Sequence, residues 1–118
     1  MTPAELIELD VAVAREVMSL SPFRRGETWH VEGTHECSWP LLPAYSTDGN
    51  AMLEMLTEMN KRGWAIVVMG GTEDDGPEYG VDFMRGELTG KAWASTLPEA
   101  VCLAALAAVR AGKAGEVK

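Results

Sequence analysis

His30, His35 and Cys37 are the residues of this chain whose types could do chemistry together. Imidazole nitrogen and thiolate sulfur are preferred zinc ligands, and a thiol beside an imidazole is a pair used in covalent catalysis. A fourth zinc ligand is missing, the spacing fits no standard zinc pattern, and His35-Glu36-Cys37 crowds two ligands too closely for easy chelation. A Cys–His nucleophile also needs a third group to orient the base, and no such pattern or nucleophile elbow is found. The expectation is a surface loop with an exposed thiol, no metal site and no catalytic residue.

Other groupings are set beside their plainer explanations. Glu73, Asp74, Asp75 and Glu78 could offer oxygen ligands to a hard cation, but lack the alternating acidic spacing of a calcium loop, so a solvated hairpin tip is expected. Gly70-Gly71-Thr72 is followed by neither Gly-Lys-Ser/Thr nor a helix, which excludes a phosphate loop. Ser46, Thr47 and Asp48 open a helix, whose free amides attract anions; N-capping explains the same residues without a ligand. Trp29 and Trp39 lie beside Arg24, Arg25 and His30, and rings with guanidinium groups suit a ligand pocket or a protein interface. Simple packing of that segment on the sheet is the plainer alternative. The candidate binding residues are therefore Arg24, Arg25, Trp29, His30, Ser46 and Thr47. Trp29, flanked by polar neighbours, is expected exposed, and Trp39 buried.

Composition limits the classes. A chain of 118 residues, 47% hydrophobic and 24% charged, suits one globular domain that buries a core without staples. A net charge of -8 argues against nonspecific nucleic-acid binding, which needs a basic stripe. Two cysteines are too few for a disulfide framework. The start reads as a capped helix rather than a basic segment followed by an apolar run, and no apolar run is long enough to cross a bilayer. A cytoplasmic protein with no membrane partner and no cofactor is expected.

The elements that must position these residues are legible in part. Thr2-Pro3-Ala4-Glu5 is a capping box with Pro at the first helical position, and helical spacing of apolar residues carries helix one to residues 19–21, before Pro22. Residues 22–45 read as irregular, with only residues 28–31 as a short strand. Helix two runs from Thr47 or Asp48 to Arg62, with Ala51, Met52, Met55, Leu56 and Met59 on one face and Gly63 closing it. Residues 64–69 form an unbroken apolar strand, expected to be covered on both faces, and Trp64 and Trp93 are expected in the core. After a loop over residues 70–77 come strands at 79–85 and 91–94, then a helix over 95–109 rich in small residues. A helix so poor in charge must be buried on most sides or lie close against a sheet. Residues from about 112 read as a disordered tail. The order implies an α+β single domain, a three-layer α/β/α sandwich around a short, mainly antiparallel sheet of three to four strands.

The run Ser95-Thr96-Leu97-Pro98-Glu99-Ala100-Val101-Cys102-Leu103-Ala104-Ala105-Leu106, with Arg15-Glu16-Val17-Met18 and Tyr45-Ser46-Thr47-Asp48, resembles the phage ABA-sandwich domain family of small phage and prophage proteins. The resemblance covers about two thirds of the chain in order. It implies a fold and a phage setting in the host bacterial cytoplasm; that family has no established general activity. The function expected is that of a non-enzymatic accessory protein acting by binding. Alternatives are a sponge that sequesters an anionic nucleotide signal, and an inhibitor that meets a host protein through an acidic surface. The expected partner is a host protein or a small anionic ligand, not nucleic acid, and an open sheet edge would support a homo-oligomer by strand addition.

Overall fold

A computed structural model describes residues 2–33, 40–73 and 76–116. His35, Cys37, Trp39, Asp74 and Asp75 lie outside the described residues, so the metal, thiol and Trp39 expectations have no structural counterpart.

Helix α1 (Pro3–Ala12) begins as its first residues dictate. The Thr2 hydroxyl accepts the Glu5 amide at 3.2 Å, and Glu5 accepts the Thr2 amide at 3.2 Å. The helix then widens into a π turn over Val13–Val17, with Met18 N–H donating to the Val13 carbonyl and Leu20 N–H to that of Ala14. Val13, Ala14 and Val17 are fully buried by this turn, while Arg15 stays exposed. Ser19, at φ 56°, adopts the left-handed conformation that ends the helix.

Residues 22–31 are more regular than their composition suggests. Strands β1 (Pro22–Arg25) and β2 (Thr28–Val31) form an antiparallel hairpin, with Gly26 at φ 66° in its turn. Pro22 is tolerated because it opens the strand, and Phe23 stacks on its cross-strand partner His30 at 5.6 Å between ring centres. Helix α2 (Gly49–Lys61) follows, capped by Asp48, with Ala51, Met52, Met55 and Met59 buried as the stripe predicts.

The chain then builds a three-stranded antiparallel meander from β3 (Ala65–Glu73), β4 (Gly76–Arg85) and β5 (Leu88–Ala94). The expected loop at 70–77 is almost all strand, because pairing runs on from Met69↔Gly80 to Glu73↔Gly76 despite the glycines. Likewise β5 starts at Leu88 and includes Gly90. Helix α3 (Leu97–Glu116) lies across β4 and β5, while α1, the π turn and α2 pack on α3. Its continuation to Glu116 replaces the expected disordered tail: Ala111, Lys113 and Ala114 favour helix, and Gly112 is buried beside Arg85 and Leu88.

The described residues form an α+β domain of three helices and two antiparallel sheets, of two and three strands, consistent with a sandwich. Val81 and Phe83 of β4, in register with Ala92 and Gly90 of β5, face α3 and are buried. Strand β3 departs from expectation. It is an edge strand, and Ile66, Val67 and Val68 are 39%, 41% and 50% exposed rather than covered. Trp64 is in the core, but Trp93 is 46% exposed, its ring over Gly80 on the sheet face opposite Val81 and Phe83.

At Gly90 the helix touches the sheet. A Cβ there would overlap the backbone nitrogen of Ala108 and stand 2.6 Å from the Ala104 carbonyl oxygen. The neighbour is backbone, which cannot rotate aside, so Gly90→Ala should destabilise the domain by roughly 3 kcal/mol or more. Urea unfolding that shows a near-neutral change would contradict this seating of α3.

Candidate functional site

The cations of this acidic chain are not evenly spread. Arg15 of the π turn, Arg62 at the end of α2, Arg85 at the end of β4 and Lys113 of α3 line one cleft of about 260 Å³, with Ser19 and Trp64 among its walls. Each arrives for a local reason. The Arg62 amide is bonded to the last carbonyls of α2, whose dipole favours a cation there. Arg85 follows the buried Phe83 on the same face of β4, just before Gly86 turns the chain at φ 62°.

Contacts within the chain hold the cleft in shape. Arg62 pairs with Glu58 at 3.0 Å and donates to the Ser19 hydroxyl at 3.1 Å, which uses the strained left-handed residue as a wall. The Arg85 guanidinium lies 4.7 Å over the ring of buried Trp64 and donates to the Arg62 carbonyl at 3.4 Å. Glu16, the one acid in the lining, is taken by Arg110 in a bidentate pair at 2.8 and 3.0 Å. That pairing holds the Glu16 carboxyl below its ordinary value and raises Arg110 above its own. Among the described residues, Arg15, Arg85 and Lys113 have no salt-bridge partner. The lining carries four cations and one anion, a formal +3, on a chain of -8. A lining of this charge is complementary in sign to phosphate, sulfate or carboxylate groups.

The residues singled out from sequence lie elsewhere. Arg24 and Trp29 are cross-strand partners in the hairpin and share a cleft of about 290 Å³ with Ala4, Ile7, Glu8 and Glu27. Trp29, half-buried, also borders a second hollow with Leu41 and Leu42. Arg24 Nε donates to the Gly26 carbonyl at 2.9 Å. Arg25 is exposed opposite Thr28, and His30 is engaged with Phe23. Thr47 is exposed, but Ser46 is buried: its amide donates to Asp10 Oδ1 at 2.8 Å and its hydroxyl to the Leu6 carbonyl at 3.4 Å. The hairpin sets Arg24 with Trp29 on one face and Arg25 and His30 on the other, while Ser46 joins α1 to the start of α2. Tyr45 beside it is fully buried, its phenol pushed up to about 12 by burial. The thiol of buried Cys102 is raised well above its usual range for the same reason, which makes it inert.

A small α+β domain of this topology, with its helices gathered on α3, has a counterpart in a phage protein. The chain belongs to the Phage ABA sandwich domain family, whose profile matches residues 11–106. That span contains Arg15, Arg62, Trp64 and Arg85, while Arg110 and Lys113 lie beyond it. Its fold is similar to the crystal structure of a phage protein from Bacillus cereus ATCC 14579, with a TM-score of 0.72 and 14% identity over 93% of this chain and 92% of that one. No curated protein matches the chain. Among the described residues no helix is long and apolar enough to cross a membrane.

The Asp10–Ser46 link gives a test by pH. Burial raises the Asp10 carboxyl above its ordinary 3.8, against the opposing hydrogen bonds from Ser46. A raised folded-state value favours the folded protein when the group is protonated, so its contribution is full below 3.8 and is lost as pH rises through the raised value. Asp10→Ala strands the buried Ser46 amide and should cost about 1–3 kcal/mol. Asp10→Asn keeps an acceptor and should cost less, but it removes the acid-side gain. Thermal unfolding of both variants across the acid range checks this; an Asn variant with the wild-type pH profile would disprove the assignment to Asp10.

Proposed function

We propose that this protein is a non-enzymatic phage accessory protein of the host cytoplasm that works by binding, and that it sequesters a small phosphate-bearing ligand in the cleft of Arg15, Arg62, Arg85 and Lys113. The observation that carries this reading is the set of three cations that have no salt-bridge partner among the described residues, gathered in one cleft of a strongly acidic chain. Leaving like charges together is unfavourable unless an anion joins them. The volume of about 260 Å³ suits a phosphorylated head group rather than a drug-sized molecule. The lining supports capture rather than turnover. It contains neither His nor Cys, its carboxylate is held by Arg110, and the Ser19 hydroxyl accepts from Arg62 rather than donating to a base.

Thermal-shift and calorimetric titrations with pyrophosphate, adenosine and guanosine nucleotides, and cyclic nucleotides test the reading. A ligand at a hundredfold its Kd stabilises the folded state by about 2.7 kcal/mol, a readily measured shift. Arg85→Glu should abolish the shift, and added salt should weaken it. Absence of a shift with every anion, or an unaltered response in the Arg85 variant, would remove this function.

A further inference from the structure

The cations of the cleft stand on two walls. Arg62 and Arg85 form one, with the Arg85 guanidinium over the Trp64 ring and donating to the Arg62 carbonyl at 3.4 Å. Arg15 and Lys113 form the other, about Glu16, whose ionised form both favour. Gly112, next to Lys113 in α3, brings the walls together without filling the space, since a Cβ there would already stand 3.5 Å from Arg85 Nη2. A single tetrahedral anion has one centre of charge to share between two walls, whereas two linked phosphates give each wall its own. Nothing in the lining selects a base. Trp64 is its one aromatic ring, and it is no stacking platform, because Arg85 covers it and only 3% of the residue is exposed. Among the described residues the lining has no Asn, Gln or His to bond a base edge. Guanidinium groups remain, and these stack without choosing, because every base has a π face.

We propose that the cleft selects a terminal diphosphate, one phosphate on Arg62 and Arg85 and the other on Arg15 and Lys113, and does not read the group that the diphosphate carries. This rests on the cleft being the anion site of the proposed function and names the ligand class of that site. Charge orders the competitors. A terminal monophosphate carries about −1.5 to −2 at neutral pH, a cyclic phosphodiester a single charge, and a diphosphate more than either. Preorganisation favours one end of the ligand first. Trp64, Glu58 and Ser19 already hold Arg85 and Arg62, so that wall loses little freedom on binding, whereas the exposed Arg15 and Lys113 close on the second phosphate.

Isothermal titration of the full chain in magnesium-free buffer, with pyrophosphate, ADP, GDP, UDP, AMP and 3′,5′-cyclic AMP, tests the inference. Pyrophosphate should bind, and the three nucleoside diphosphates should agree within about threefold, with AMP and cyclic AMP at least about tenfold weaker. Arg85→Gln and Lys113→Gln, one from each wall, should each shrink the ADP-to-AMP ratio of affinities by about fivefold or more. The wild-type ligand series carries the test without a variant, so a folding defect in either variant does not blunt it. AMP or cyclic AMP binding as tightly as ADP overturns the diphosphate assignment and leaves an anion cleft of another preference. A choice of more than about tenfold among ADP, GDP and UDP also overturns it, because it requires a contact that reads the base. Failure of every anion to bind removes the proposed function and this inference together.

Discussion

The contact between α3 and β5 is the constraint on which the rest of the structure depends. A helix can lie this close to a strand only where both surfaces lack side-chain bulk, and the chain meets that condition with Gly90 on one side and Ala104 and Ala108 on the other. Close approach increases dispersion contacts and excludes water along the seam, which offsets the β-propensity lost at the glycine. With α3 seated, Val81 and Phe83 are sealed beneath it, and its remaining faces become the surface on which the π turn and α2 must pack.

That seating also assembles the basic cleft. Arg15 and Glu16 reach it from the π turn, Arg62 from the end of α2, Arg85 from the end of β4 and Lys113 from α3, so no single element carries the site. Glu16 could have neutralised the cleft, but Arg110, also on α3, holds both its carboxylate oxygens. Arg110 thus holds both oxygens of the local acid, while Arg15 and Lys113 act on it only at longer range, and the cations without a salt bridge among the described residues face one hollow. Trp64 contributes from below: its buried ring fixes the Arg85 guanidinium without neutralising it.

How much of this was legible follows from the range of each interaction. The capping box at Thr2, the methionine stripe of α2 and the small-residue run of α3 depend on neighbours within a turn or two of helix, and they were read correctly. Strand β1 was missed because Phe23-Arg24-Arg25 has no alternation, and its pairing with β2 rests on a glycine turn and one ring contact. The exposure of Val67 and Val68 was missed because an apolar run reads alike whether a strand is central or at an edge. The basic cleft gave only a faint signal: Arg62-Gly63, Arg85-Gly86 and Gly112-Lys113 each set a cation beside a glycine. The same pairing occurs at Arg25-Gly26 and Gly90-Lys91, which lie elsewhere, so spacing alone could not separate site from turn.

The two surfaces left unfinished differ in kind, and the difference bears on how such a small domain can work. At the cleft the unmet need is charge, fixed in place by Trp64, Glu58 and Ser19, and long-range attraction can draw an anion to it. At β3 the unmet need is directional backbone hydrogen bonding, which acts only at contact and does not distinguish one sequence strongly from another. Arg62 and Trp64 line the cleft, and β3 begins at Ala65, so the site and the edge are covalently adjacent. Gly63 makes that connection, at a φ of 89° that other residues rarely adopt.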